Sequence, residues 1–143
     1  MPVLTDPQGW FTLQVPDGWD MATVDSVTTL RPPGGGGIVY LSGARHTRGR
    51  QPSFGGADFL ARFLHSLGLE VDEETIRSAA GPGCRIYSHR GSTSAADWWF
   101  WSVTDDETAL LISYARPTGA EGEVDEVAGL VRSVRLYHSA PVH

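Results

Sequence analysis

The chain has 143 residues, 17 acidic side chains against 11 arginines, and a formal charge of −6, with no lysine, no asparagine and one cysteine. This length fits one α+β domain spanning 1–143 that can bury a core without disulfides or metal, and the 41% hydrophobic content excludes disordered, collagen-like and coiled-coil chains. No apolar run approaches the ~18 residues of a membrane helix, and the acidic balance argues against nucleic acid as a partner.

Residues 10–15 read as a first strand, because Phe11, Leu13 and Val15 alternate with Thr12 and Gln14. Pro16, Asp17 and Gly18 then make a turn, and Trp19 follows. Residues 21–24 are a candidate short strand and 27–31 a second extended run. Pro32, Pro33 and the glycines 34–37 stop it, and 38–44 form a third strand. Residues 45–56 read as loop. A helix is predicted over 57–67, where Phe59, Leu60, Phe63, Leu64 and Leu67 make one apolar stripe, Asp58 suits the first turn and Gly68 the C-terminus.

Residues 70–78 suggest a strand, 79–83 a turn and 84–90 a strand. Residues 97–103 and 108–116 form the clearest hairpin. Thr118 and Glu121 fit a capping box before a second helix carrying Val124, Val127, Ala128 and Val131 and ending near Arg132. Residues 134–137 make a short last strand before a frayed tail. Short connections imply antiparallel neighbours. The expected fold is therefore an antiparallel sheet of six to eight strands packed with two main helices.

The hairpin is the most informative local structure. A loop centred on Asp105 and Asp106 puts Trp101 opposite Leu110 and Trp99 opposite Ile112, with Phe100 opposite Leu111 on the other side. Both faces then carry large apolar groups, so these strands are central and covered on both sides by helices, a long loop or a second subunit. An apolar patch left open there would serve a partner, which makes Trp98, Trp99 and Trp101 candidate contact residues.

The other candidate contacts are Arg45, Arg48 and Arg50, which with His46 form the one basic cluster and suit an acidic partner or phosphate. A Walker loop needs a lysine this chain lacks, and the glycine run leads into a strand rather than a helix. His46, His65, His89, His138 and His143 show no metal-ligand spacing, and Cys84 reads as a small hydrophobe. There is no Gly-x-Ser-x-Gly elbow. Asp105 with Asp106, and Glu73 with Glu74, fall at a hairpin tip and in a charged stretch, solvated places without the burial that acid catalysis draws on.

A strand ending in Pro16-Asp17-Gly18-Trp19, an extended 27–32, a glycine-rich entry to 38–41, then helix, antiparallel strands and closing amphipathic helix resemble the PsbP-like superfamily. That group includes the extrinsic photosystem II subunit, a small Ran-binding import factor, DcrB-type bacterial proteins and Eag-type secretion chaperones. The resemblance implies a PsbP-like α/β sandwich and a binding or assembly role. DcrB-type members are often exported lipoproteins, whereas this chain starts without a signal pattern and its one cysteine is internal.

These readings point to a non-catalytic binding, adaptor or chaperone-like domain acting through contacts with a protein, without cofactor or metal, as a possible homodimer in a bacterial cytoplasm. The alternative is a small hydrolase in which His46 or His89 meets an acid and a hydroxyl or thiol. A further reading is an immunity-like protein that blocks a basic target with its acidic surface.

Overall fold

The computed structural model describes residues 3–6, 9–25, 27–33, 37–45, 57–69, 71–81, 83–92, 95–105, 108–117 and 124–137. Ten strands and two α-helices follow one another in these segments. They are β1 (Val3–Thr5), β2 (Phe11–Gln14), β3 (Asp20–Val24), β4 (Val27–Arg31), β5 (Ile38–Arg45), α1 (Ala57–Ser66), β6 (Arg77–Gly81), β7 (Cys84–Ser92), β8 (Ala96–Thr104), β9 (Thr108–Pro117), α2 (Val124–Arg132) and β10 (Arg135–Leu136). Seven strands form one antiparallel sheet in the order β3-β4-β5-β9-β8-β7-β6, and β1-β2-β10 form a second, three-stranded sheet. Neither helix is long and apolar enough to cross a membrane.

The β8–β9 hairpin lies at the centre of the large sheet and both of its faces are buried. On one face Trp99, Trp101 and Val103 meet Leu110, Ile112 and Tyr114, and continue through Val39, Leu41 and Leu30. The small sheet and α2 close over this face through Phe11, Leu13, Val127, Leu130 and Val131. On the other face Phe100 receives Leu60 and Leu64 of α1, with Trp98, Tyr87 and Leu111 around them. The Trp98 and Phe100 rings lie parallel, 5.8 Å apart. The covers are therefore elements of this chain, which accounts for aromatics at four consecutive positions.

The register differs from the sequence reading by two residues. Trp101 pairs with Ile112 and Trp99 with Tyr114. The cause lies at the loop: the Thr108 N–H donates to the Asp105 carboxylate at 2.7 Å, and the Asp105 N–H donates to the Thr108 carbonyl at 3.0 Å. The ladder thus closes one step further along the chain. A slip of two keeps every side chain on its face, so the division into two cores is unchanged.

Helix α1 ends as its sequence predicts. Gly68 takes φ 85°, its N–H donates to the His65 carbonyl, and the Leu69 N–H reaches back to Leu64. This double bond pattern is a Schellman end, and glycine carries the positive φ without strain. The strand expected over 70–78 begins only at Arg77. Before it, Asp72 starts a single 3-10 turn over Glu73–Thr75, accepting from the Glu74 N–H on its carboxylate and from the Thr75 N–H on its carbonyl. Val71 and Ile76 are thereby turned toward Leu60 and Leu64. Residues 79–81 continue β6 instead of turning, and Gly81 pairs with Cys84. Strand β1 and the second sheet were not anticipated. The capping residues Thr118 and Glu121 and the tail lie outside the described residues.

Gly37 explains why the proline-glycine stretch must end as it does. A Cβ there would lie 2.5 Å from the Tyr114 ring and 2.7 Å from the Ala115 carbonyl oxygen, so the backbone passes directly against β9. Ser102 is also notable: it is fully buried, and its hydroxyl has no hydrogen-bond partner among the described residues.

Three stability changes follow. Phe100→Ala removes the ring that α1 covers and is expected to cost about 3–5 kcal/mol, seen as a lower denaturant midpoint with an unchanged slope. Gly37→Ala lowers the melting temperature, because the clashing neighbours are backbone and a buried ring. Ser102→Ala is neutral or stabilising, since it deletes an unsatisfied buried hydroxyl without emptying much volume; a loss above about 1 kcal/mol would show that the hydroxyl is bonded.

Candidate functional site

A strand places alternate residues on opposite faces. On β7 this puts Cys84, Ile86, Ser88 and Arg90 on the Trp99 face, and Tyr87 and His89 on the α1 face. Arg90 lies directly opposite Trp99, Ser88 opposite Trp101, and Arg77 of β6 opposite Ser88. The face that forms the main core in the middle of the sheet therefore becomes polar toward the β6 edge.

A pocket of about 450 Å³ opens where this change occurs. Trp99 and Trp101, each more than nine-tenths buried, form its floor. Arg77, Arg90, Ser88 and Thr75 supply its polar walls, and His89 borders it. No carboxylate lines it among the described residues. In a chain of net charge −6, it is a local cationic depression.

Two arginines flank the Trp99 ring. The Arg90 guanidinium lies 5.0 Å from the ring centroid and that of Arg116, from β9 on the other side, 4.8 Å. Each is within cation–π range, where such contacts contribute roughly 0.5–2 kcal/mol. Tyr114 supports the same ring at 5.5 Å. The Arg116 Nε is enclosed without a hydrogen-bond partner among the described residues. Stacking engages the face of a guanidinium and leaves its in-plane N–H donors for other partners.

The candidate residues read from sequence are distributed as follows. Trp99 and Trp101 reach the pocket, whereas Trp98 lies half-buried on the opposite face beside Phe100. Arg45 ends β5, paired with Thr108, and its side chain lies outside the described residues, as do Arg48 and Arg50. Arg77, Arg90 and Arg116 were missed. Their only sequence signal was the alternation of Ser88 and Arg90, which needs the β7–β8 register to be read against Trp99.

The catalytic alternatives find little geometric support. Ser88 and His89 are neighbours on one strand and take opposite faces, so the hydroxyl does not face the imidazole. Partial burial lowers the His89 pKa, leaving the ring neutral near pH 7. Burial raises the pKa of the Cys84 thiol, the Asp105 charge raises it further, and Arg135 opposes both. A thiol held protonated is a weak nucleophile. Asp105 is engaged in closing the hairpin. His65 is exposed on α1, and His46, His138 and His143 lie outside the described residues. Among the described residues no three potential metal ligands come together.

No family model and no curated protein matches the chain. Its fold does match solved structures. The cyanobacterial PsbP (CyanoP) of Synechocystis sp. PCC 6803 superposes with a TM-score of 0.69 at 12% identity, over 95% of this chain and 92% of that one. A Bacteroides thetaiotaomicron protein superposes with a TM-score of 0.67 at 13% identity, over 95% of this chain. The chain spans about half, 48%, of that protein's length. The chain thus has the PsbP-like α+β fold expected from its element order.

The raised thiol pKa has a measurable consequence. At pH 8 Cys84 should react with a disulfide reagent more slowly than cysteine in an unfolded peptide. The folded pKa lies above the ordinary value of 9.0, so the stability it contributes is complete below that value and declines as pH rises through the folded pKa. Cys84→Ala should flatten this alkaline decline in thermal melts.

Proposed function

We propose that the protein is a non-catalytic binding domain, an adaptor that engages a partner protein through the pocket between the β6 edge and the Trp99 row. The observation that carries this reading is the arginine-walled, tryptophan-floored pocket without an acid among its described lining residues. Arginine and tryptophan are the residues that most often dominate binding energy at protein interfaces, because they combine large apolar area with directed polar contacts. General acid–base or nucleophilic chemistry would require a hydroxyl or thiol facing a base, and neither Ser88 with His89 nor Cys84 supplies that arrangement.

A chaperone using an open apolar groove is supported less well. Trp99, Trp101 and Phe100 are filled against this chain's own elements. The immunity-like reading also loses ground at this site, because the pocket is cationic.

The test compares immobilised wild-type protein with an Arg77→Ala/Arg90→Ala double variant as baits in native lysate, followed by sizing of the recovered complex. A partner retained by the wild type and lost from the folded double variant supports the reading. Turnover of an ester, amide or phosphate substrate that disappears in His89→Ala or Ser88→Ala would replace it with the hydrolase.

A further inference from the structure

We propose that the pocket walled by Arg77 and Arg90 is a carboxylate-binding site. The inference rests on reading this pocket as a binding surface and names the chemical group it receives.

The charge argument comes first. Two guanidiniums line a depression with no acidic side chain among its described residues, so an anion would meet two positive groups without a competing carboxylate. A guanidinium offers paired N–H donors in one plane, matched to the two oxygens of a carboxylate. The Arg90 guanidinium already sits over the Trp99 ring, 5.0 Å from its centroid, so less side-chain freedom is lost when it bonds. Ser88 adds a hydroxyl donor beside it, while the Thr75 hydroxyl is spent on the Asp72 carbonyl at 2.7 Å.

The donor set then selects among anions. Arginine clusters bind phosphate as well as carboxylate, and many phosphate sites add backbone N–H groups from a helix N-terminus or a glycine-rich loop. Here the described walls come largely from the strands β6, β7 and β8, and the backbone of β7 and β8 is engaged in the antiparallel ladder on both sides. Without that backbone set, the two guanidiniums match the two oxygens of a planar, singly charged group, and phosphate is the competing anion in the test. The tryptophan floor, more than nine-tenths buried, gives that group a firm base rather than wide apolar contact.

The carboxylate has two possible sources: a free organic acid, or an acidic side chain of an extended partner segment. The second is favoured by position. Strand β6 is an edge of the large sheet, so among the described residues one side of its backbone has no neighbouring strand. Ser78, Ala79 and Ala80 on it are small and exposed, which leaves room for an added strand.

The probes are benzoate, inorganic phosphate, and a capped pentapeptide alternating valine and glutamate with its glutamine counterpart, each titrated against tryptophan emission at constant ionic strength. Saturable binding of benzoate or of the glutamate peptide, weakened at least about tenfold in Arg77→Gln, supports the site. Arg77 is exposed and outside the Trp99 stack, so this variant should melt like the wild type. Arg62→Gln on α1, away from the pocket, should bind normally. A glutamate peptide that binds tighter than benzoate, with its glutamine counterpart silent, identifies a partner segment; the reverse order identifies a free acid. No saturable signal from either, an unchanged affinity in Arg77→Gln, or tighter binding of phosphate than of both overturns the proposal. If partner capture persists while these titrations are silent, the ligand class fails and the adaptor reading stands.

Discussion

The two-sided burial of the β8–β9 hairpin is the constraint on which the rest depends. Trp99, Trp101 and Tyr114 require one cover and Phe100 another, so a single-layer solution is closed to this sequence. Large apolar side chains left in water on either face would forfeit roughly 1.5–3 kcal/mol apiece. The chain meets that demand with three layers: the small sheet and α2 on one side, the seven-stranded sheet, and α1 on the other. The placement of β2 and β10 follows from this, since they join in one antiparallel ladder that holds the start and end of the chain over the same face. The Gln14 N–H donates to the Ser133 hydroxyl at 2.8 Å and ties the end of α2 to that layer.

The same constraint explains where the fold was legible. Residues with a strong local period were readable: α1 shows its stripe in Leu60 and Leu64 and its stop in Gly68, and the observed helix ends within a residue or two of the prediction. The two-core division was readable because alternation alone sets the face of a side chain. What failed depended on contacts distant in sequence or on one local hydrogen bond. Strand β1 has three residues, too few to show a period, and exists because Leu4 pairs with Leu13. The hairpin register turned on the Asp105 carboxylate choosing the Thr108 N–H. The strand expected before Arg77 had an acceptable pattern, but over 71–76 Asp72 captured the local backbone and Val71 and Ile76 packed against the Leu60, Leu64 and Phe100 cluster.

The site was less legible than the fold for a related reason. Arg77, Ser88, Arg90 and Trp99 belong to three strands, and only the register brings them to one face. The conspicuous sequence cluster, Arg45 with Arg48 and Arg50, lies outside the described side chains. Clustering in sequence is weak evidence about clustering in space within a sheet, where neighbours along the chain alternate and neighbours in space come from other strands. The tryptophan run divides between two faces that the sequence did not separate by role: Trp98 packs beside Phe100 toward α1, while Trp99 and Trp101 line the pocket.

That double role bears on how a pocket at a sheet edge stays in shape. Edge regions are normally the softer part of a sheet, with fewer buried contacts to hold side chains in place. Here the floor is continuous with the main core: Trp99 packs on fully buried Tyr114, and the Trp101 partner is Ile112 at the sheet centre. Arg90 and Arg116 are in turn held against the Trp99 ring. Rigidity passes from the core to the tryptophans and from them to the Arg90 and Arg116 guanidiniums, whereas Arg77 is exposed and has no such support. The large aromatic residues that make the fold three-layered therefore also preorganise its most distinctive surface, and the charge and the stability of this protein meet at one ring.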